Sequence, residues 1–109
     1  MRKVIYAGTA FYTGDRISAA ILEYASALAR QGMSETAFVP ARTVTGEFGD
    51  VEVLLGPASQ LVSEPSDKDW DDIVDDEFAQ HLEQSSAKLA PMRPGFLPEN
   101  QATSQWDDF

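Results

Sequence analysis

The stretch RISAAILEYASALARQG, residues 16–32, decides the architecture, because it carries the strongest helix signal of the chain. Its large apolar side chains recur at steps of four, three and four residues and share one helix face: Ile17, Ile21, Tyr24 and Leu28. We expect Thr13 or Asp15 to cap the start of this helix, and Gly32 to end it as a residue that tolerates positive φ. A helix with one apolar face must pack against another element.

Short segments rich in β-branched or aromatic residues flank this helix and predict strands. Two precede the helix and two follow it: residues 3–7, 10–12, 35–39 (ending at Pro40) and 50–55. In the last of these, Val51, Val53 and Leu55 alternate onto one face, with Glu52 opposite. Residues 45–50 favour a hairpin connection, and residues 60–62 a short edge strand. The sequence therefore predicts an α+β fold, in which a small antiparallel ββαββ sheet has one helix packed across its inner face. The other face would be covered only by the rest of the chain or by a partner.

Charge divides the chain into unequal parts. It holds 18 acidic and 8 basic residues, for a net charge of −10. Residues 1–63 hold six acids and five bases, whereas residues 64–109 hold twelve acids and three bases. Such a shift is typical of a folded unit followed by an interaction segment. We predict a ββαββ domain over residues 1–64, an acidic amphipathic helix over 65–90 and a flexible tail over 91–109.

The acidic helix is predicted to begin at a cap on Ser66, with Asp69 three positions on completing a capping box. Apolar residues then recur at helical spacing: Trp70, Val74, Phe78, Leu82 and Leu89. Two interpretations stay open. This stripe docks on the chain's own sheet and completes its core, or it lies in a groove of another protein.

The tail contains Pro91, Pro94 and Pro98, which exclude a regular helix, and it ends with residues 105–109, QWDDF. This ending resembles the acidic, Phe-terminated tips of bacterial single-stranded-DNA-binding proteins, which implies docking on another protein. The alternative is that Trp106 and Phe109 fold back onto the exposed sheet face.

Residues 4–6 (VIY), Gly8, Asp15-Arg16 and residues 54–59 (LLGPAS) resemble a group of small actinobacterial proteins of unknown function. The resemblance covers residues 3–64 and implies a shared small fold without an activity. Members are sometimes labelled ATP-dependent DNA ligases, but an adenylating ligase needs a Lys-x-Asp-Gly motif. None of the chain's lysines stands in that motif: Lys3, Lys68 and Lys88.

Neither a catalytic residue, a metal site nor a cofactor is expected. The chain has no cysteine, and its single histidine, His81, has only Glu77 as a nearby ligand, which falls short of a zinc set. Glycine-rich phosphate loops are missing from the sequence. No apolar run approaches a membrane span, and the apolar start is too short for a signal peptide, so we expect a cytoplasmic chain.

We therefore predict a non-enzymatic interaction protein, such as an inhibitor, an antitoxin or a regulatory subunit, that binds a basic protein partner. The aromatic and apolar residues would anchor the partner and the acids would steer it. The expected binding residues are Trp70, Asp71, Asp72, Val74, Asp75, Asp76, Phe78, Leu82, Trp106, Asp107, Asp108 and Phe109.

Two alternatives remain. An acidic mimic of nucleic acid would block a DNA-binding or nuclease surface, because nine acids lie between residues 64 and 83. A small-molecule binder would use a cleft near Tyr6, Tyr12 and Tyr24. Direct binding of nucleic acid is not expected at this net charge. An exposed edge strand offers a route to a homo-oligomer.

Overall fold

The computed structural model describes residues 1–89, which form one five-stranded antiparallel sheet and two helices. The elements are β1 (Arg2–Tyr6), β2 (Thr9–Thr13), α1 (Asp15–Arg30), β3 (Glu35–Thr43), β4 (Phe48–Leu55), β5 (Leu61–Pro65) and α2 (Asp76–Leu89). The strands lie side by side in the order β4-β3-β2-β1-β5. This confirms the predicted α+β class and antiparallel sheet, while β5 and α2 extend the ββαββ order. Neither helix is long and apolar enough to cross a membrane.

Helix α1 has the predicted apolar face but not the predicted cap. Its N-cap is Gly14, which offers no side chain, and the Thr13 hydroxyl donates instead to the Pro40 carbonyl at 2.8 Å. The prediction of a Thr13 or Asp15 cap was wrong because Thr13 points into the sheet, where β3 supplies an acceptor. The helix ends as predicted: Gly32 has a φ of 66°, and the Met33 N–H reaches back to the Leu28 carbonyl.

The core lies between α1 and the inner face of the sheet. Val4, Val39 and Val53 come from three strands, and Ile21 and Leu28 come from α1; each is at most 1% exposed. Burial of one such side chain stabilises the fold by about 1.5–3 kcal/mol. The predicted alternation in β4 holds, since Val53 and Leu55 are buried and Glu52 is exposed.

The sheet curls strongly around this core. The Tyr6 hydroxyl of β1 donates to the Leu54 carbonyl of β4 at 3.0 Å and accepts the Leu54 N–H at 3.1 Å. In a flat sheet, three strand spacings of about 4.8 Å would separate β1 from β4. The curl therefore brings the two strands together and uses the backbone groups at one end of β4.

Strand β3 continues through Pro40, although the sequence analysis ended it there. Pro40 is opposite Asp50 of β4, and its carbonyl accepts the Thr13 hydroxyl from the β2 side. A residue's N–H and C=O point to the same side of a strand. The proline nitrogen therefore faces away from β4, and no bond of the β3–β4 ladder is lost.

Strand β5 (Leu61–Pro65) spans the predicted boundary between residues 64 and 65. Its residues pair with β1, from Leu61 opposite Tyr6 to Pro65 opposite Arg2. The chain therefore leaves the sheet only after Pro65.

Helix α2 begins at Asp76, ten residues after the predicted Ser66 cap, so that prediction was wrong. The Asp75 carboxylate accepts the Phe78 N–H at 3.0 Å and caps the helix. Ser66 instead forms a local turn with Lys68. We call residues 66–75, which connect β5 to α2 without regular structure, the crossing segment.

Candidate protein-binding surface

The crossing segment is held on the outer face of the sheet by Trp70. Its ring meets the Tyr12 ring edge to face, with centroids 5.0 Å apart. Tyr12 points to the outer face, yet it is only 1% exposed because Trp70 covers it. A Cβ added at Gly46 would lie 3.4 Å from the indole, so the β3–β4 connection also borders Trp70.

Asp67 completes this attachment. Its carboxylate accepts the Tyr12 hydroxyl at 2.6 Å and lies 3.9 Å from the Lys3 ammonium. The hydrogen bond to Asp67 and burial raise the pKa of Tyr12 to about 12. The same hydrogen bond lowers the pKa of Asp67 below its ordinary value. Aspartate and neutral tyrosine are therefore the stable pair over a wide pH range.

The second half of the crossing segment passes the start of α1. The Asp72 carboxylate accepts the Asp15 N–H at 3.3 Å and lies 2.9 Å from the amine of Met1. At Gly14, an added Cβ would lie 1.8 Å from the Ile73 carbonyl oxygen. Only glycine allows the chain to pass this closely.

Helix α2 packs on α1, so it is not an exposed acidic helix. Ala79 and Leu82 are 0% and 3% exposed and belong to the core. Arg16 of α1 binds Glu83 at 2.8 Å and Asp76 at 3.1 Å. These contacts raise the pKa of Arg16 and lower the pKa of Glu83. Of the two interpretations of the apolar stripe, docking within the chain describes α2, but the predicted site was wrong: α2 packs on α1 and not on the sheet.

The structure separates the predicted binding residues into two sets. Those that contact the chain itself are Trp70, Asp72, Asp75, Asp76, Phe78 and Leu82. Asp71 and Val74 remain exposed, with Val74 at 72%. Trp106, Asp107, Asp108 and Phe109 lie outside the described residues. Six of the eight binding residues within 1–89 therefore stabilise the fold, and the two others in that range are Val74 and Asp71.

A larger exposed apolar surface lies on the outer face of the β3–β4 hairpin. Phe38, Phe48 and Leu54 are 57%, 61% and 53% exposed. Glu52 is opposite Phe38 in the register, and Asp50 lies between Phe48 and Glu52 on the same face. We call these five residues the hairpin face. Neither of its carboxylates takes part in the ion pairs of residues 1–89.

The hairpin face was not among the predicted sites, although the sequence contains its signal. The alternation that placed Val51, Val53 and Leu55 inward also places Glu52 and Leu54 outward. Which outward residues stay uncovered depends on where the crossing segment runs, and sequence spacing does not reveal that path.

Arg42 borders the hairpin face without neutralising it. Its guanidinium lies 5.6 Å from the Phe48 ring centroid and donates to the Gly46 carbonyl at 2.8 Å. The cation–π contact holds the Phe48 ring at the edge of the hairpin face.

The three tyrosines of the small-molecule hypothesis do not line a common cleft. Tyr12 is under Trp70, Tyr6 binds the Leu54 peptide, and the Tyr24 hydroxyl donates to Glu35 at 3.2 Å. Burial and Glu35 raise the pKa of Tyr24. Two surface cavities of about 300 and 230 Å³ flank the helices, and only the smaller includes one of these tyrosines, Tyr24.

Among residues 1–89, no three histidine or carboxylate side chains are close enough to hold a metal ion. His81 is exposed on α2. The described part of the chain thus offers apolar and acidic contact surface.

No family model, curated protein or solved structure matches the chain.

Proposed function

We propose that the chain is a non-enzymatic interaction module that binds a protein with a basic surface. The hairpin face carries this proposal, because Phe38, Phe48 and Leu54 are more than half exposed beside two carboxylates that join none of the ion pairs within residues 1–89. Phe38 and Leu54 are diagonal neighbours in the register, because Glu52 faces Phe38. Large exposed apolar side chains beside charged ones are typical of binding sites. Exposed aromatic residues supply binding energy, and neighbouring charges select the partner and speed its approach.

The acidic residues of the crossing segment add to this selectivity. Asp69 and Asp71 are exposed and join none of the ion pairs of residues 1–89. Trp70 connects the two surfaces, since it lies between these acids and borders Gly46 of the hairpin. The negative charges of Asp69 and Asp71 would thus also attract a basic partner that binds the hairpin face.

The nucleic-acid mimic was based on acids at regular helical spacing from residue 64 to 83. Residues 66–75 form no helix, and Asp76 and Glu83 share an ion pair with Arg16, which offsets one of their two charges. The structure therefore provides no specific observation in favour of the mimic over a protein-binding module.

The test is capture from an extract of the native cell, with the full chain as bait and quantitative mass spectrometry as readout. We expect the double variant Phe38→Thr and Leu54→Thr to capture at least about tenfold less partner than the original chain. A tenfold loss corresponds to about 1.4 kcal/mol of binding free energy. Both side chains are exposed and threonine suits a strand, so the fold should persist.

The matched control is Val62→Thr. Val62 lies on the outer face of β5 and is 52% exposed, nearly the same as Leu54. It should capture the partner as the original chain does. Equal capture by all three proteins would contradict the proposal.

A further inference from the structure

The free edge of β4 has backbone groups without a partner among residues 1–89. Strand β4 is the outermost strand of the sheet on its side. Two independent contacts show which of its residues turn their backbone outward. Pro40 directs its carbonyl toward β2, so Asp50 opposite it has no backbone bond to β3. Leu54 has its N–H and C=O bound by the Tyr6 hydroxyl, so they also point away from β3.

Because these directions alternate along a strand, Glu52, between Asp50 and Leu54, also points its N–H and C=O to the free edge. At Leu54 that edge is closed, since Tyr6 and the Ser59 hydroxyl bind there. The open part therefore runs from Phe48 to Glu52. Its outward side chains include the two carboxylates of the hairpin face.

We propose that this edge binds an extended basic segment of the partner as an additional antiparallel strand, a mode that rests on the proposed function. Main-chain hydrogen bonds to Asp50 and Glu52 would supply affinity. Lysine or arginine opposite these two acids would supply specificity, because opposite charges on directly facing residues stabilise a strand pair.

A second copy of the chain brings like charges together in the registers centred on residues 50–52 of this edge. Antiparallel self-pairing centred on Val51 would place Asp50 opposite Glu52 of the other copy, twice. Centring it on either acid would place that acid opposite itself. Like charges on facing residues destabilise a sheet, and charged edges are a common protection against self-association.

The chain's own residues 90–109 do not fit either. They contain three acids and one base, together with Pro91, Pro94 and Pro98, which lack an N–H. A basic strand from another protein is therefore the occupant that the charges select.

The probe is the peptide acetyl-Lys-Val-Lys-Val-Lys-Val-amide, titrated into the full chain and followed by NMR and by amide hydrogen exchange. We expect saturable binding that slows exchange at the Asp50 and Glu52 amides. Absence of binding, or slowed exchange elsewhere only, would overturn the proposal. Protection of these amides without peptide that grows with protein concentration would instead show self-pairing and would also overturn it.

The decisive variants are Glu52→Pro and Glu52→Gln. Both remove the charge, but only proline removes the N–H that points to the free edge, and neither removes a bond to β3. We expect Glu52→Gln to weaken peptide binding about threefold or less and Glu52→Pro about tenfold or more. Equal binding by the two variants would refute strand addition.

Two further measurements test strand addition if the Glu52→Pro variant fails to fold. The pair Asp50→Pro and Asp50→Asn repeats the comparison one step along the edge. A peptide N-methylated at alternate residues keeps its charge but loses donors, and it needs no protein variant. It should bind at least about tenfold more weakly, and undiminished binding would count against strand addition.

Charge is tested separately. Asp50→Lys with Glu52→Lys should abolish peptide binding, whereas Glu23→Lys with Glu77→Lys changes the net charge equally on the exposed surface of the helices. If both pairs weaken binding equally, the peptide responds to net charge only and the edge is not its site. The proposed function would survive that result if partner capture still depended on Phe38 and Leu54.

Discussion

Tyr12 shows how a single side chain changes its role between sequence and structure. In the sequence it belongs to a short strand and suggests a possible ligand contact. In the fold it points to the outer face, where Trp70 and Asp67 bind its ring and its hydroxyl. It is thereby the residue that attaches the crossing segment to the sheet.

The raised pKa of Tyr12 gives a prediction at this scale. The fold favours neutral tyrosine, so the pair stabilises the protein below pH 10, and that contribution is lost between pH 10 and about 12. At the acidic end, the lowered pKa of Asp67 means that stability is lost as pH falls through that carboxylate's titration.

The change to make is Asp67→Asn. We expect it to lower the Tyr12 pKa from about 12 toward 10, measured by the NMR chemical shift of the tyrosine Cζ carbon. Asp69→Asn is the matched control, because Asp69 is exposed and makes no contact with Tyr12. An unchanged titration of Tyr12 in Asp67→Asn would show that the hydrogen bond does not cause the shift.

At the scale of elements, the crossing segment is irregular because its contacts lie on two sides of the fold. It leaves β5, contacts Tyr12 on the outer face and reaches the start of α1 in the helix layer. The segment therefore follows contacts on both sides of the sheet in place of the helix predicted from Ser66.

The start of α2 at Asp76 predicts that Asp75 is the residue that caps this helix. Asp75→Ala should lower the free energy of unfolding by about 1 kcal/mol, because it removes the acceptor of the Phe78 N–H. Urea denaturation measures the change. Asp71→Ala removes the same charge from the exposed part of the crossing segment and should change stability by less than about 0.5 kcal/mol. A larger loss for Asp71→Ala would support the earlier helix start.

At the scale of the whole molecule, residues 66–89 pass from one side of the sheet to the other. Trp70 covers the outer face, and α2 covers α1 on the inner side. Ala79 and Leu82 become part of the same core as the β-strands. The described chain therefore shares one core across the predicted boundary between residues 64 and 65.

Truncation tests whether residues 1–64 are nevertheless a domain. A chain ending at residue 65 would expose Tyr12 and the α2-facing side of α1. We expect it to lose the cooperative thermal transition of the full chain, because the removal of buried side chains costs several kcal/mol of a marginal stability. A cooperative transition in the shortened chain would establish the domain as predicted. The control is Gln80→Ala in the full chain, since Gln80 is exposed.

The elements with clear periodicity were predictable, and the joins between them were not. Ile17 to Leu28 predicted α1, and the alternation in residues 50–55 predicted β4, because each pattern reports local burial. Trp70 and Leu82 also share a helical spacing, yet one lies on the sheet and the other on α1. Spacing shows that a residue is buried but not which partner buries it.

The sequence by itself determined the fold class, the helix that spans the core and the acidic character of the chain, because these follow from local pattern and composition. Only the tertiary structure decided that α2 is docked, that Trp70 covers Tyr12, and that the β3–β4 hairpin is left with exposed aromatic and acidic side chains. The physical reason is that exposure belongs to the packed molecule: a side chain becomes a binding surface only when no other part of the fold covers it.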